Sequence, residues 1–299
     1  MRVFVTGASG WIGSAAVSEL ISSGHEVVGF ARSDTAAAGV AALGAEVLRG
    51  DLGDLDSLRA GAAASDGVVH LGYNHDFSQM GQAAETDLGA IDAIGSALEG
   101  TGRPLVIASG TLGLAPGRVG TEEDSPDPGG HPRIANALAA LSFAERGVRS
   151  VVVRFAPTVH GPGDHGFMAV LVGIAREKGV SGYIEEGVNR WPAVHRLDAG
   201  KLVSLAVLEG PAGSVLHATA EEGVPTRAIA EAIGRGLGLP VVSVPAKQAM
   251  DHFSWLGRFF GADAPASNTI TRQLMGWTPT HPGLIADLDE GSYFQMPSS

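Results

Sequence analysis

The chain opens on MRVFVTGASGWIGS at residues 1–14, and no other stretch narrows its possible folds so sharply. Val3, Phe4, Val5 and Thr6 are β-branched or aromatic and favour an extended strand. Glycine then recurs at Gly7, Gly10 and Gly13, after which Val17, Leu20 and Ile21 continue the apolar face begun by Ile12, up to a stop at Gly24. The first glycine permits a tight turn, the second lets backbone approach a pyrophosphate, and the third seats the helix close to the strand. The phosphates would meet the open N–H groups and positive end of that helix. Glycine is abundant here, 43 of 299 residues, so the spacing alone is weak. The strand before it and the amphipathic helix after it carry the reading.

The rhythm continues through the first half. Apolar runs at 26–31, 45–49, 67–71, 104–108 and 150–155 alternate with helical-period stretches, among them one opening at Leu55 and Leu58 after Asp54, Ala83 to Leu98 and Ala135 to Ala144. Continuous apolar strands separated by helices predict an α/β fold: a Rossmann-type, doubly wound parallel sheet covered on both faces. After Phe155 the pattern loosens. VHGPGDHGF at 159–167 reads as a loop, 167–178 and 224–240 as helices, and SVLHA at 214–218 as a short strand. The expected organisation is a dinucleotide-binding domain over 1–157, with 190–217 returning to it, and a smaller, less regular C-terminal substrate lobe over 158–299.

Composition excludes several classes of function. Apolar residues make up 44% and charged residues 17%, the balance of a folded globular chain, and the length is ample for a buried core. A net charge of −12 opposes both nucleic acid and an anionic membrane surface. There is no cysteine, hence no disulfide, thiolate nucleophile or sulfur-ligated zinc. His70 with His75 and His160 with His165 are each five apart, not the spacing of a helical zinc pair, so no metal site is expected. Ser109 lacks the Gly-x-Ser-x-Gly context of a hydrolase nucleophile. A strand starting at residue 2 leaves no room for a leader, and no apolar run reaches the ~20 residues of a membrane helix. The expectation is a cytoplasmic protein acting on a small molecule.

TGASGWIG resembles the TGxxGxxG signature of the short-chain dehydrogenase/reductase family, in particular its extended and atypical members such as nucleotide-sugar epimerases and dehydratases. GDLGD at 50–54, HLG at 70–72, HGPG at 160–163 and HRLD at 195–198 fit the same template in order and spacing. The resemblance spans nearly the whole chain. It implies a nicotinamide cofactor held by Gly7, Ser9, Gly10, Trp11, Ile12, Gly13 and Gly72, with Asp51 on the adenine amine and Leu52 beside the ring. The alternative for Asp51 is a turn or helix-cap carboxylate. Dimers are common among such relatives, and the Ala-rich helix at 135–144 is the candidate interface of a homodimer.

The end of the second strand selects the cofactor. An acid there would bond the ribose hydroxyls of NAD. The chain instead has Ala31 followed by Arg32 and Ser33, and an arginine pairs with a 2′-phosphate, so NADP(H) is expected over NAD(H). The alternative is a solvated Arg32 with Asp34 turned to the ribose.

The catalytic pair is the surprise. The resemblance implies a Tyr-x-x-x-Lys pair on one helix face, the ammonium lowering the tyrosine pKa. The tyrosines are Tyr73, Tyr183 and Tyr293, and none has lysine four residues on; the expected positions fall near Pro132 and Asn136. Four residues could take over: Ser109 and Thr111 after the fifth strand as carbonyl-polarising hydroxyls, and Tyr73 or His160 as proton donor. Asn74, His75, His165 and Trp191 are candidate substrate contacts, although Trp191 could equally pack the lobe interface. The expected activity is NADP(H)-dependent reduction of a small carbonyl, C=N or C=C compound. The alternatives are a catalytically inactive NADP(H)-binding redox sensor and a nucleotide-sugar epimerase or dehydratase.

Overall fold

A computed structural model describes residues 1–74, 79–127, 129 and 132–295. The strands are β1 Arg2–Thr6, β2 Glu26–Ala31, β3 Glu46–Arg49, β4 Gly67–His70, β5 Pro104–Gly110, β6 Arg149–Phe155, β7 Thr158–His160, β8 Ser181–Ile184, β9 Arg190–His195, β10 Ser214–Ala218, β11 Glu221–Pro225 and β12 Val241–Val244. The helices are α1 Trp11–Ser22, α2 Asp34–Ala42, α3 Leu55–Ala63, α4 Met80–Leu98, α5 Pro132–Ser142, α6 Phe167–Lys178, α7 Arg196–Glu209, α8 Thr226–Leu237, α9 Ala249–Phe253, α10 Gly257–Phe260, α11 Thr269–Met275 and α12 Leu284–Asp289. Among the described residues no helix is long and apolar enough to cross a membrane.

Seven strands form one parallel sheet in the order β10-β6-β5-β4-β1-β2-β3. The order reverses at β1, which places a crevice at the carboxyl ends of β1 and β4. Alternation along β1 sends Val3 and Val5 into a core shared with α1 and α7, and Phe4 into a second core under α3, α4 and α5. That is why these strands read as unbroken apolar runs: both faces are covered. Helix α7 packs on α1 so closely that a Cβ on Gly200 would stand 2.8 Å from the Ala15 Cβ.

The second lobe has its own core around Trp191, Phe253, Phe260, Ile229 and Leu284. The stretch 159–167 differs from its sequence reading. Thr158–His160 form β7, pairing parallel with β9 in a three-stranded sheet β11-β9-β7. Three residues ending before Gly161 and Pro162 are too short to show a period, and the partner strand makes this one.

The C-terminal segment straps the two lobes together. The Asp198 carboxylate, buried at the start of α7, accepts from the backbone N–H groups of Thr280 and His281 (3.0 Å each) and from His281 Nδ1 (2.9 Å). Trp277 Nε1 donates to the Asp198 carbonyl at 3.1 Å. On α12, Asp287 accepts from His160 Nδ1 at 2.8 Å, with both groups buried. His195 lies between, edge-on to His160 and stacked on His281 with ring centroids 4.6 Å apart. Burial, then the neighbouring His160 and His281, pull the His195 pKa down from 6.5 to about 4. The folded state therefore holds this ring neutral where the unfolded chain would protonate it, and the stability it contributes above pH 6.5 is lost as pH falls toward 4. Thermal melts across that window should show the midpoint falling with acid, and falling less in His195→Gln. Parallel curves for the two proteins would contradict this.

Candidate active site

The phosphate turn is built by close backbone approach. Gly7 has φ +67°, and a Cβ on it would lie 2.7 Å from the Gly72 nitrogen and from the Leu71 carbonyl carbon. A Cβ on Gly13 would lie 2.0 Å from the Gly7 carbonyl oxygen. Both positions thus exclude any side chain and bring α1 against the exits of β1 and β4. Gly10 caps α1 with no side-chain hydrogen bond, so the first-turn N–H groups face an open cradle that suits a pyrophosphate. Ser9 and Gly10 are exposed on it. Ile12 packs against the core beneath. Trp11 turns toward the second lobe: its Nε1 donates to the Val159 carbonyl (2.8 Å), Arg196 lies 4.3 Å over its ring, and His165 meets it edge-on at 5.5 Å. His165 therefore sits beside the phosphate turn.

At the ribose end, Ala31 is buried and Arg32 exposed; among the described residues Arg32 makes no hydrogen bond or ion pair. Ser33 caps α2 by accepting from the Ala36 N–H at 3.2 Å. Asp34 is tied to Arg49 at 3.0 Å, and Arg49 also donates to the Ser33 carbonyl at 2.6 Å. Asp51 accepts from the Gly53 N–H at 3.0 Å while remaining exposed. Leu52 lies against Gly72, its Cδ2 3.1 Å from where a Cβ would stand.

Beside this cradle runs a buried chain of hydrogen bonds across four elements. Asn136 on α5 donates to Asp87 Oδ2 on α4 (2.7 Å) and to the Ala84 carbonyl (2.9 Å). His70 Nε2 lies 3.2 Å from Asp87 Oδ1, and its Nδ1 lies 2.7 Å from Thr6 Oγ1. Thr6 Oγ1 in turn accepts from the Gly72 N–H at 3.1 Å. An ionised carboxylate only accepts, so Nε2 carries the proton and Nδ1 receives the threonine hydroxyl. Burial pushes the Asp87 pKa up, but bonds from His70 and Asn136, with the charge of Arg133, outweigh it and leave it below the usual carboxylate value. Asn136, where a lysine was expected, is thus committed to Asp87.

Above this chain lies the mouth of the cleft. Tyr73, half-buried after β4, has the Arg133 guanidinium 4.1 Å over its ring. Arg133 Nη2 also donates to the Ala108 carbonyl at 3.3 Å, next to Ser109. Ser109 makes no side-chain hydrogen bond among the described residues, so its hydroxyl remains available at the end of β5. Thr111 is spent otherwise: it is buried and its hydroxyl donates to the Phe155 carbonyl at 3.4 Å. Asn74 is exposed at the lip, and His75 lies outside the described residues. His160 is fully buried on Asp287. Trp191 is fully buried as well, edge-on to Phe260 and donating to the Ala262 carbonyl at 3.2 Å. Leu112 and the half-buried Phe167 and Trp255, whose rings meet at 5.7 Å, pack on the margin of the second core around Trp191.

The structure thus brings Tyr73 and Ser109 to one mouth and buries His160, Thr111 and Trp191 on scaffold partners. Sequence reasoning missed Asp87 and Arg133. An acid on the buried stripe of α4, among Ala83, Ala84, Ala90 and Ile91, was the available signal for Asp87. Nothing local marked Arg133, whose partners come from β4 and β5.

Comparison with known proteins agrees with this architecture. The model of the NAD dependent epimerase/dehydratase family matches residues 3–217. An uncharacterised protein of Schizosaccharomyces pombe is 47% identical over 98% of this chain and 100% of its own length. A 4-hydroxy-2-methyl-3-oxo-4-farnesyl-3,4-dihydroquinoline-1-oxide ketoreductase of Stigmatella aurantiaca is 29% identical over 75% of this chain and 69% of its own. Among solved structures, the dTDP-glucose 4,6-dehydratase DesIV of Streptomyces venezuelae, with NAD and TYD bound, superposes with a TM-score of 0.78 at 19% identity, covering 98% of this chain and 96% of that one. The chain belongs to the NAD dependent epimerase/dehydratase family.

Proposed function

Starting from that membership, we propose that the chain is an NADP(H)-dependent reductase of a small, largely apolar carbonyl compound, or of its C=N or C=C counterpart. The observation that carries this reading is the convergence on one guanidinium: Arg133 holds the Tyr73 ring on one side and the Ala108 carbonyl, next to Ser109, on the other. A phenol and an open hydroxyl then share the carboxyl edge of the sheet, where ligands of this architecture bind. Bound nicotinamide would supply the hydride. Ser109 would donate a hydrogen bond to the substrate oxygen and Tyr73 its proton, which stabilises the charge as it develops. Burial first, and then Asp87, hold the Tyr73 pKa above its ordinary 10 against the pull of Arg133, so the group is a protonated acid at neutral pH. His160 and Thr111, bonded into the scaffold, have no part in this step.

Cofactor and substrate preference follow from which charges are open. Arg32 is uncommitted, and Arg49 neutralises the nearby Asp34, so a 2′-phosphate meets attraction without repulsion. In the second lobe Arg190, Arg227 and Arg235 are each paired, with Asp263, Glu231 and Asp289. A sugar nucleotide's diphosphate would find few open cations there, whereas Leu112, Phe167 and Trp255 give the margin of the second core a partly exposed apolar character. The ketoreductase name of the Stigmatella relative supports the same reading.

Arg32→Ala should raise KM for NADPH about tenfold, the loss of one charge-assisted bond, and leave KM for NADH unchanged. With a panel of aldehydes, ketones, imines and enones, Tyr73→Phe and Ser109→Ala should each lower kcat about a hundredfold while NADPH still binds. Wild-type turnover in Tyr73→Phe would contradict the assignment.

A further inference from the structure

We infer that Tyr73 and Arg133 form a relocated acid–cation pair, in which Arg133 tunes the phenol as a helix-borne lysine would, but from across two elements. The inference rests on the reductase reading and concerns what the Arg133 charge does beyond holding the Tyr73 ring. Tyr73 comes from the exit of β4 and Arg133 from the first turn of α5, and the guanidinium lies 4.1 Å over the ring. At that distance a cation is attracted to the π face of a neutral phenol, and far more strongly to the phenolate left after proton transfer.

Three features hold the geometry. The Ala108 carbonyl accepts from Arg133 Nη2, which fixes the guanidinium between β5 and the ring. Both Asp87 oxygens are occupied by His70 and Asn136, so the nearby carboxylate is braced by its own partners. Asn136, one turn along α5 from Arg133, is committed to Asp87 and the Ala84 carbonyl, which leaves Arg133 as the cation α5 brings to the phenol. Among the described residues the charges that act on Tyr73 are Arg133 from α5 and Asp87 from α4, and Asp87 is itself bonded to His70 from β4. Arg133 favours the phenolate, and Asp87 opposes it.

The step balances on the proton alone. The Tyr73 O–H bond breaks, its proton joins the substrate oxygen that holds the new electron pair, and the phenolate persists under Arg133 until water returns a proton. Arg133 acts through Tyr73 and is a positioning residue. Its effect is largest where the phenolate must form.

The test places difluorotyrosine at position 73, whose ring fluorines bring the titration toward neutrality, and follows it by fluorine NMR. Arg133→Gln keeps a donor for the Ala108 carbonyl without the charge, and Arg133→Lys keeps the charge. The midpoint should rise by about one pH unit or more in Arg133→Gln, the size expected for losing an adjacent opposite charge, and return most of the way in Arg133→Lys. A midpoint unmoved in Arg133→Gln overturns the pairing, whether or not the protein reduces carbonyls. A shifted midpoint in a protein that reduces nothing on the panel supports the pairing and overturns the reductase reading instead.

Discussion

The cleft depends on one close approach of backbone to backbone. At Gly7 the chain leaves β1 so near the exit of β4 that a single Cβ would strike Gly72 and Leu71, and at Gly13 the helix touches the carbonyl of Gly7 itself. This contact sets the height of α1 above the sheet and leaves its N–H groups open. It also brings Gly72 within reach of Thr6 Oγ1, which begins the buried chain through His70 and Asp87 to Asn136. The phosphate cradle and the polar brace under the cleft are two consequences of the same glycines. A parallel sheet whose order reverses at β1 supplies the crevice; the glycines decide what can enter it.

Much of this was legible because it is local or periodic. Strands buried on both faces announce themselves as apolar runs, and the first turn is punctuated by residues no other type can replace. The pairing of Arg133 with Tyr73 was not legible, because it joins segments distant in sequence and depends on where α5 begins. Asn136 falls near where the resemblance expects the lysine; its amide turns to Asp87, an outcome fixed by tertiary packing. Trp191 stands in a polar stretch, NRWPAVHR, that suggests a surface, yet β9 carries it into the centre of the second core. Alternation along a strand decides its direction, and the flanking charges do not.

The second lobe is held by buried side-chain bonds as much as by apolar contact. Asp198, Asp287 and three histidines knit α7, α12 and β7 together, and Trp11 reaches across from the phosphate turn to the Val159 carbonyl. The lobe is thereby keyed to the cofactor cradle through a few directional contacts. His160, which the sequence offers as a proton donor, serves in this lock, and the Tyr73 phenol and the Ser109 hydroxyl stand at the ends of β4 and β5.

In a reductase, hydride leaves the cofactor for the substrate and does not return, as it must in an epimerase, nor stay in place, as it would in a sensor. The most direct measurement is transfer of deuterium from NADPH labelled at the nicotinamide C4, with the product examined by mass spectrometry and NMR. One deuterium retained at the reduced carbon is the expected result, with stoichiometric oxidation of the cofactor. Tight NADPH binding with no label in any product would contradict it.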